Sequence, residues 1–193
     1  YMYLTIKSII SQCGKDFLIC IIDDDSFENL LPDWTPELHK IGDPLREKVR
    51  YLGMMQLLYH YGGMFVPPSF LFMSNLKSMY DSSEGKPFVV ENVNYYGDCR
   101  FAPDAHFIGT TTKNCPVIEE YVEYLARMIS NDYTAESIFL NDLSKWWPYM
   151  RPPRILFRFC WAHWRRRRLK MFSRFCFSHS LARLSAFKVC KKG

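Results

Sequence analysis

The stretch GDPLREKVRYLGMMQLLYHYGG, residues 42–63, constrains the fold more than any other part of this 193-residue chain. Asp43 is suited to cap a helix, Pro44 fits its first turn, and Gly62 and Gly63 stop it. Val49, Leu52, Met55, Gln56 and Tyr59 lie along one side, and Leu57, Leu58 and Tyr61 widen the apolar surface. Gly53 in the interior costs about 1 kcal/mol relative to Ala, so close packing of another element is expected there. MFV, residues 64–66, then reads as a short strand, and Pro67 and Pro68 end its ladder pairing.

The flanking sequence extends this helix–strand alternation. MYLTIKSIISQC places apolar residues at 3, 6, 9, 10 and 13, the spacing of an amphipathic helix, which Gly14 can end. DFLICII is a continuous apolar run suited to a strand covered on both faces, and it leads into DDDSF. KPFVVEN and AHFIGTT are further strand candidates. NCPVIEEYVEYLARMISN reads as a helix with Pro116 near its start and Val117, Tyr121, Tyr124, Leu125 and Met128 inward. TAESIFLNDLSKWW reads as another, with Thr134 as a cap candidate. The expectation is an α/β fold: a layered, mainly parallel sheet flanked by helices. Ligands of such sheets bind beyond the carboxyl ends of the strands. Asp23, Asp24 and Asp25 sit at that edge, as does the segment Pro67–Ser69.

Charge divides the chain. Residues 1–150 carry 12 Lys/Arg and 20 Asp/Glu, whereas residues 151–193 carry 13 Lys/Arg and no acid. The expected division is therefore a folded domain over 1–150 and a basic tail over 151–193. At 193 residues and 48% hydrophobic, the chain can bury a substantial core as one domain with an appendage. No apolar run approaches the roughly 20 residues of a membrane span. The chain opens on Tyr1, already in helix-like sequence, so N-terminal truncation is expected, with room for a preceding anchor or targeting segment. Seven widely spaced cysteines suit buried thiols in a reducing compartment such as the cytoplasm.

SIISQCGKDFLICIIDDDSF, LLYHYGGMFV and FIGTTTKNCPVIEEYVEYL resemble, in that order, the glycosyltransferases with the DXD sugar-binding motif. These are the capsular polysaccharide synthesis-like and mannosyltransferase-like groups, and the likeness covers residues 3–146. A variant with YGG, VP and SF in place of the acidic motif is similar to sequences of large DNA viruses. The resemblance implies a GT-A-like fold, a nucleotide-sugar donor, a glycan or protein acceptor, and hexosyl transfer if the chain is active. It also implies donor-binding roles at Asp23, Asp24, Asp25, Gly62, Gly63 and Ser69. The chain departs from the family at four positions: Tyr51 and Met54 stand where Asp and Arg are expected, and Pro67 and Ser69 stand where the paired Asp residues are expected.

A divalent ion bridging two phosphates needs hard oxygen ligands. Proline supplies none and a serine hydroxyl is weak, so manganese- or magnesium-dependent transfer through the usual motif is not expected, and no metal ligand is assigned. Cations at Arg46, Lys48, Arg50, Lys77 and Arg100 are available to a metal-free transferase, or are ordinary surface charges. The alternative function is a non-catalytic module that binds a glycan, a protein or an anionic surface.

Several further residues carry two readings each. Asp23, Asp24 and Asp25 either meet a ribose, nucleobase or cation, or form a loop turn and helix cap. Asp104 and His106, on one side of a strand by period two, either activate an acceptor hydroxyl or are satisfied within the fold. Asn141 and Asp142 either contribute to an acceptor site or lie on a helix surface. In the tail, RFCWAHW and RFCFSHS repeat Arg-Phe-Cys-x-x-His, and HWRRRRLKMF interleaves cations with aromatics. That segment is read as a contact for an anionic surface, as a zinc site at Cys160, His163, Cys176 and His179, or as an extension foreign to the fold. No Gly-rich phosphate loop, zinc-protease helix or nucleophile elbow is present.

Overall fold

A computed structural model describes residues 2–91, 103–130, 136–149 and 186–191. Helix α1 (Met2–Cys13) leads to strand β1 (Phe17–Ile22), the short helix α2 (Ser26–Leu30), and the long helix α3 (Leu45–Tyr61). Strand β2 (Gly63–Val66), helix α4 (Lys77–Asp81), and strands β3 (Phe88–Glu91) and β4 (Pro103–Thr110) follow. Helices α5 (Pro116–Ile129) and α6 (Glu136–Tyr149) and strand β5 (Ala186–Lys191) complete the described elements.

The five strands form one sheet in the order β1-β5-β2-β4-β3. Every neighbouring pair is antiparallel. The expected mainly parallel pairing is therefore not what forms. β1, β2 and β3 do share one direction, and their helical connections are those of a parallel repeat. The oppositely directed β5 and β4 lie between them and take their hydrogen bonds. β5 comes from beyond residue 150, so the sheet crosses the boundary that charge suggests. The rest of the tail, including both Cys-x-x-His repeats, lies outside the described residues.

Helices cover both faces. On one, Phe65 and Ile108 of the sheet pack with Phe27, with Met54, Met55 and Leu58 of α3, with Ile118, Tyr121 and Leu125 of α5, and with Phe139, Leu143 and Trp147 of α6. On the other, Met64, Val66 and Phe107 pack with Ile9 and Cys13 of α1, with Phe72, and with Tyr80 of α4. β2 is buried at all four positions because both of its faces meet a core. This explains a strand with no polar alternation.

Local chemistry follows the sequence with one exception. Gly14 closes α1 through its N–H to the Ile10 carbonyl at 2.9 Å. Gly62, with φ of 64°, closes α3 through its N–H to the Leu58 carbonyl at 2.8 Å. Gly53 admits α2 and the following loop: a Cβ there would lie 2.7 Å from the Phe27 ring and 2.9 Å from Trp34. Asp43 does not cap α3. Pro44 holds the cap position, and the Asp43 carboxylate instead accepts from Arg46 Nε at 3.1 Å and Nη2 at 2.5 Å.

Cys13 and Cys115 are buried thiols and Cys20 is half-buried, as small hydrophobes in a core. Burial raises the Cys13 thiol above its ordinary value. Among the described residues no helix is long and apolar enough to cross a membrane.

Candidate functional site

Strand register defines the site. Ile22 pairs with Ala186 and Val66 with Phe187, while Val90 and Glu91 pair with Asp104 and Pro103. The carboxyl ends of β1, β2 and β3 therefore share one edge with the start of β4. Asp23–Asp25, the turn after Val66, and Asp104 all belong to that edge. Gly62 and Gly63 do not. Gly63 pairs with Thr110 at the opposite end of β2, where it lines a hollow of about 460 Å3 with Tyr61, Tyr80, Asp81 and Lys113. The two glycines and Ser69 thus stand at opposite edges of the sheet.

The three aspartates have separate employment. Asp23 organises the start of α2: its Oδ1 accepts the Ser26 backbone N–H at 3.0 Å and also the Ser26 hydroxyl. The Ser26 hydroxyl bond is the main reason the Asp23 carboxyl lies below its usual range. Asp24 faces Arg50 on α3. Arg50 Nε and Nη2 donate to the two Asp24 oxygens, each at 2.6 Å, and Nη1 donates to Glu47. Arg50 is 6% exposed, and its guanidinium is driven further toward the charged form chiefly by the Asp24 bonds. Asp25 holds the cap position of α2 without a side-chain cap bond and is exposed.

The four positions that depart from the glycosyltransferase pattern have structural roles or surroundings of their own. Tyr51 is buried, its hydroxyl 3.1 Å from that of Tyr121 and its ring edge-on to Phe65 at 5.7 Å. Burial raises the Tyr121 phenol well above its ordinary value. Met54 is in the core at 2% exposure. Pro67 is buried and Ser69 exposed, in a turn closed by the Phe70 N–H on the Pro67 carbonyl at 3.2 Å. Phe70 packs toward Phe107 with ring centroids 6.0 Å apart.

The available cations are also engaged. Arg46 pairs with Asp43, and Lys77 lies 3.8 Å from Asp16 and 3.5 Å from Asp81. Lys48 is buried at 5% exposure with its ammonium 5.5 Å from the Phe139 ring centre. Lys48 and Arg50 are thus interior groups, contrary to the surface-charge reading; Arg100 lies outside the described residues.

His106 is half-buried in β4. The β3–β4 register jumps between the pairs Val89–Ile108 and Val90–Asp104, leaving residues 105–107 in an irregularity. The period-two argument that aligns Asp104 with His106 therefore does not carry through this stretch. Asp142 pairs with Lys145 at 2.9 Å and lines a hollow between α5 and α6 with Tyr124, Met128 and Trp146.

Among the described residues, no three His, Cys, Asp or Glu side chains are grouped to hold a metal ion. Of the three aspartates at this edge, Asp25 is exposed and makes no side-chain cap bond. Pro67 lacks a ligand, Asp24 is neutralised by Arg50, and Asp23 is turned to Ser26. In the sequence Arg50 is one of several available cations, with nothing to mark its partner. The pairing of Arg50 with Asp24, 26 residues away, has no signal in spacing. Comparison with family models, curated proteins and solved structures gives no match.

Proposed function

We propose that this chain is a GT-A-like domain of glycosyltransferase type that has lost metal-dependent transfer and serves as a non-catalytic module binding a nucleotide-sugar or glycan. The observation that carries the non-catalytic part is the Arg50–Asp24 fork. It takes a carboxylate from the sheet edge at which Pro67 and Ser69 already replace acids. Tyr51 and Met54, at the two remaining departures, are parts of the apolar core. The glycosyltransferase ancestry rests on the sequence likeness alone; the mixed α/β architecture is compatible with it, although the strands pair antiparallel.

The test is thermal stabilisation by UDP- and GDP-sugars, with and without manganese. Equal stabilisation with and without the metal, and no release of UDP or GDP on prolonged incubation with candidate acceptors, is the expected result. A shift that requires manganese overturns the loss of metal dependence. No shift with any donor, together with a shift on adding oligosaccharide, moves the ligand from nucleotide-sugar to glycan. A second reading, metal-free transfer, draws on Asp104 standing at the same edge as the Pro67–Ser69 turn. Steady nucleotide release without metal, abolished in Asp104→Asn, favours that reading.

A further inference from the structure

The sheet has two outer strands, and they differ in a way that bears on association. An outer strand presents unpaired backbone N–H and C=O groups, which natural proteins usually blunt with charge, proline or shortness. β3 is blunted by all three: it has four residues, follows Lys86-Pro87, and ends on Glu91. β1 is not. Its six residues, FLICII, contain no charge and no proline, and β5 is its one strand partner among the described residues. Leu18 is 56% and Ile21 45% exposed, one on each face of the strand.

We propose that the edge of β1 left unpaired among the described residues is a self-association surface, on which β1 of a second copy adds antiparallel about a two-fold axis at Ile19. The flanking charges select this occupant and this register. An antiparallel pairing of identical strands must place one residue opposite itself. Centred on Ile19, it sets Phe17 opposite Ile21, Leu18 opposite Cys20, and Lys15 opposite Asp23. Both exposed apolar side chains then gain apolar cross-strand neighbours, and two symmetric ion pairs close the ends. Centred on Cys20, it also sets Lys15 opposite Asp25 but brings Asp16 opposite Asp24, like charge against like. Centred on Leu18, it sets Lys15 opposite Ile21, with no ion pair. Lys15 and Asp23 are both exposed, and because Asp23 Oδ1 is held by Ser26, the contact falls to Oδ2. This inference is independent of the ligand reading above.

The experiment is sedimentation of the full chain over a concentration series, compared across charge variants. The wild type is expected to show a monomer–dimer equilibrium. Lys15→Glu and Asp23→Lys should each raise the dissociation constant about tenfold, through repulsion repeated at both ends, and the combined swap should restore it to within about threefold. A second measurement fixes the register. Ile19→Cys in a Cys20→Ser background should form a disulfide-linked dimer under mild oxidation, whereas Leu18→Cys in that background should not. A chain that stays monomeric at every concentration, a dimer indifferent to the charge swaps, or cross-linking at position 18 in preference to 19 would overturn the proposal.

Discussion

Arg50 and Asp24 meet as a two-pronged ion pair, with both guanidinium–carboxylate distances at 2.6 Å. The contact ties the loop after β1 to the middle of α3 across a sequence separation of 26 residues. Its guanidinium is almost wholly enclosed while Asp24 keeps partial access to water, so the pair is neither a surface bridge nor a fully dry one. The same carboxylate cannot serve as this clamp and also turn to a cation at the sheet edge.

Removing the guanidinium therefore tests both stability and site. Arg50→Ala should destabilise the chain by about 2–3 kcal/mol, since charged hydrogen bonds and the arginine's packing are lost together. Arg50→Lys should recover less than half, because an ammonium cannot present two parallel donors. Urea denaturation midpoints at constant slope measure both.

The hydroxyls of Tyr51 and Tyr121 form the second long-range polar contact under the site. Tyr51→Phe should cost about 1 kcal/mol, and a double-mutant cycle with Tyr121→Phe should return a coupling of about 0.5–1 kcal/mol. Placing an acid there as Tyr51→Asp should cost more than about 3 kcal/mol, because the carboxylate would be buried without a cation. Equal melting temperatures for Tyr51→Asp and Tyr51→Phe would refute the core placement.

Gly53 and Gly42 make a controlled pair. A Cβ at Gly53 meets the buried Phe27 ring and the half-buried Trp34 ring, whereas at Gly42 it meets nothing within 4 Å. Gly53→Ala gains helix propensity but overpacks, and should be net destabilising by about 1–2 kcal/mol. Gly42→Ala should change stability by less than about 0.5 kcal/mol. Parallel thermal melts of the two variants decide it.

The pH profile should fall at both ends. The Ser26 bonds depress Asp23, and Arg46 depresses Asp43, so each binds protons less readily in the folded chain than in the unfolded one. Their contribution is present above the unfolded value of about 4 and is lost as the pH drops through the lower folded values. At the alkaline end, burial raises the Tyr121 phenol. Its contribution is complete below about pH 10, the unfolded value, and is lost as the pH climbs toward the higher folded one. Asp23→Asn should shallow the acid limb alone and Tyr121→Phe the alkaline limb alone, read from unfolding midpoints across pH.

Local signals in the sequence carried well into the structure, and distant pairings did not. Gly14, Gly62 and Pro116 mark helix ends because each acts through its own backbone. Of the expected stripe of α5, Tyr121 and Leu125 are buried and Val117, Tyr124 and Met128 half-buried, while Ile118, outside that stripe, is fully buried. The edge location of Asp23 and Pro67 was legible too, since it needs only that β1 and β2 share a direction. Strand neighbours were not. Nothing in AFKVCK announces that it inserts between β1 and β2, and the antiparallel sheet follows from that insertion and from β4. The fate of Asp24 was hidden for a related reason: its partner is chosen by how α3 lies over β1, a property of the packed whole.

β5 also has a bearing on how the chain can be divided. Charge draws a line at residue 150, yet Ala186–Lys191 pairs with β1 on one side and β2 on the other, along most of each. A protein cut at that line would keep every described helix over the sheet but leave a gap one strand wide between β1 and β2. The acid-free tail thus supplies the seam that joins the two halves, and the border visible in composition is no place at which the molecule comes apart.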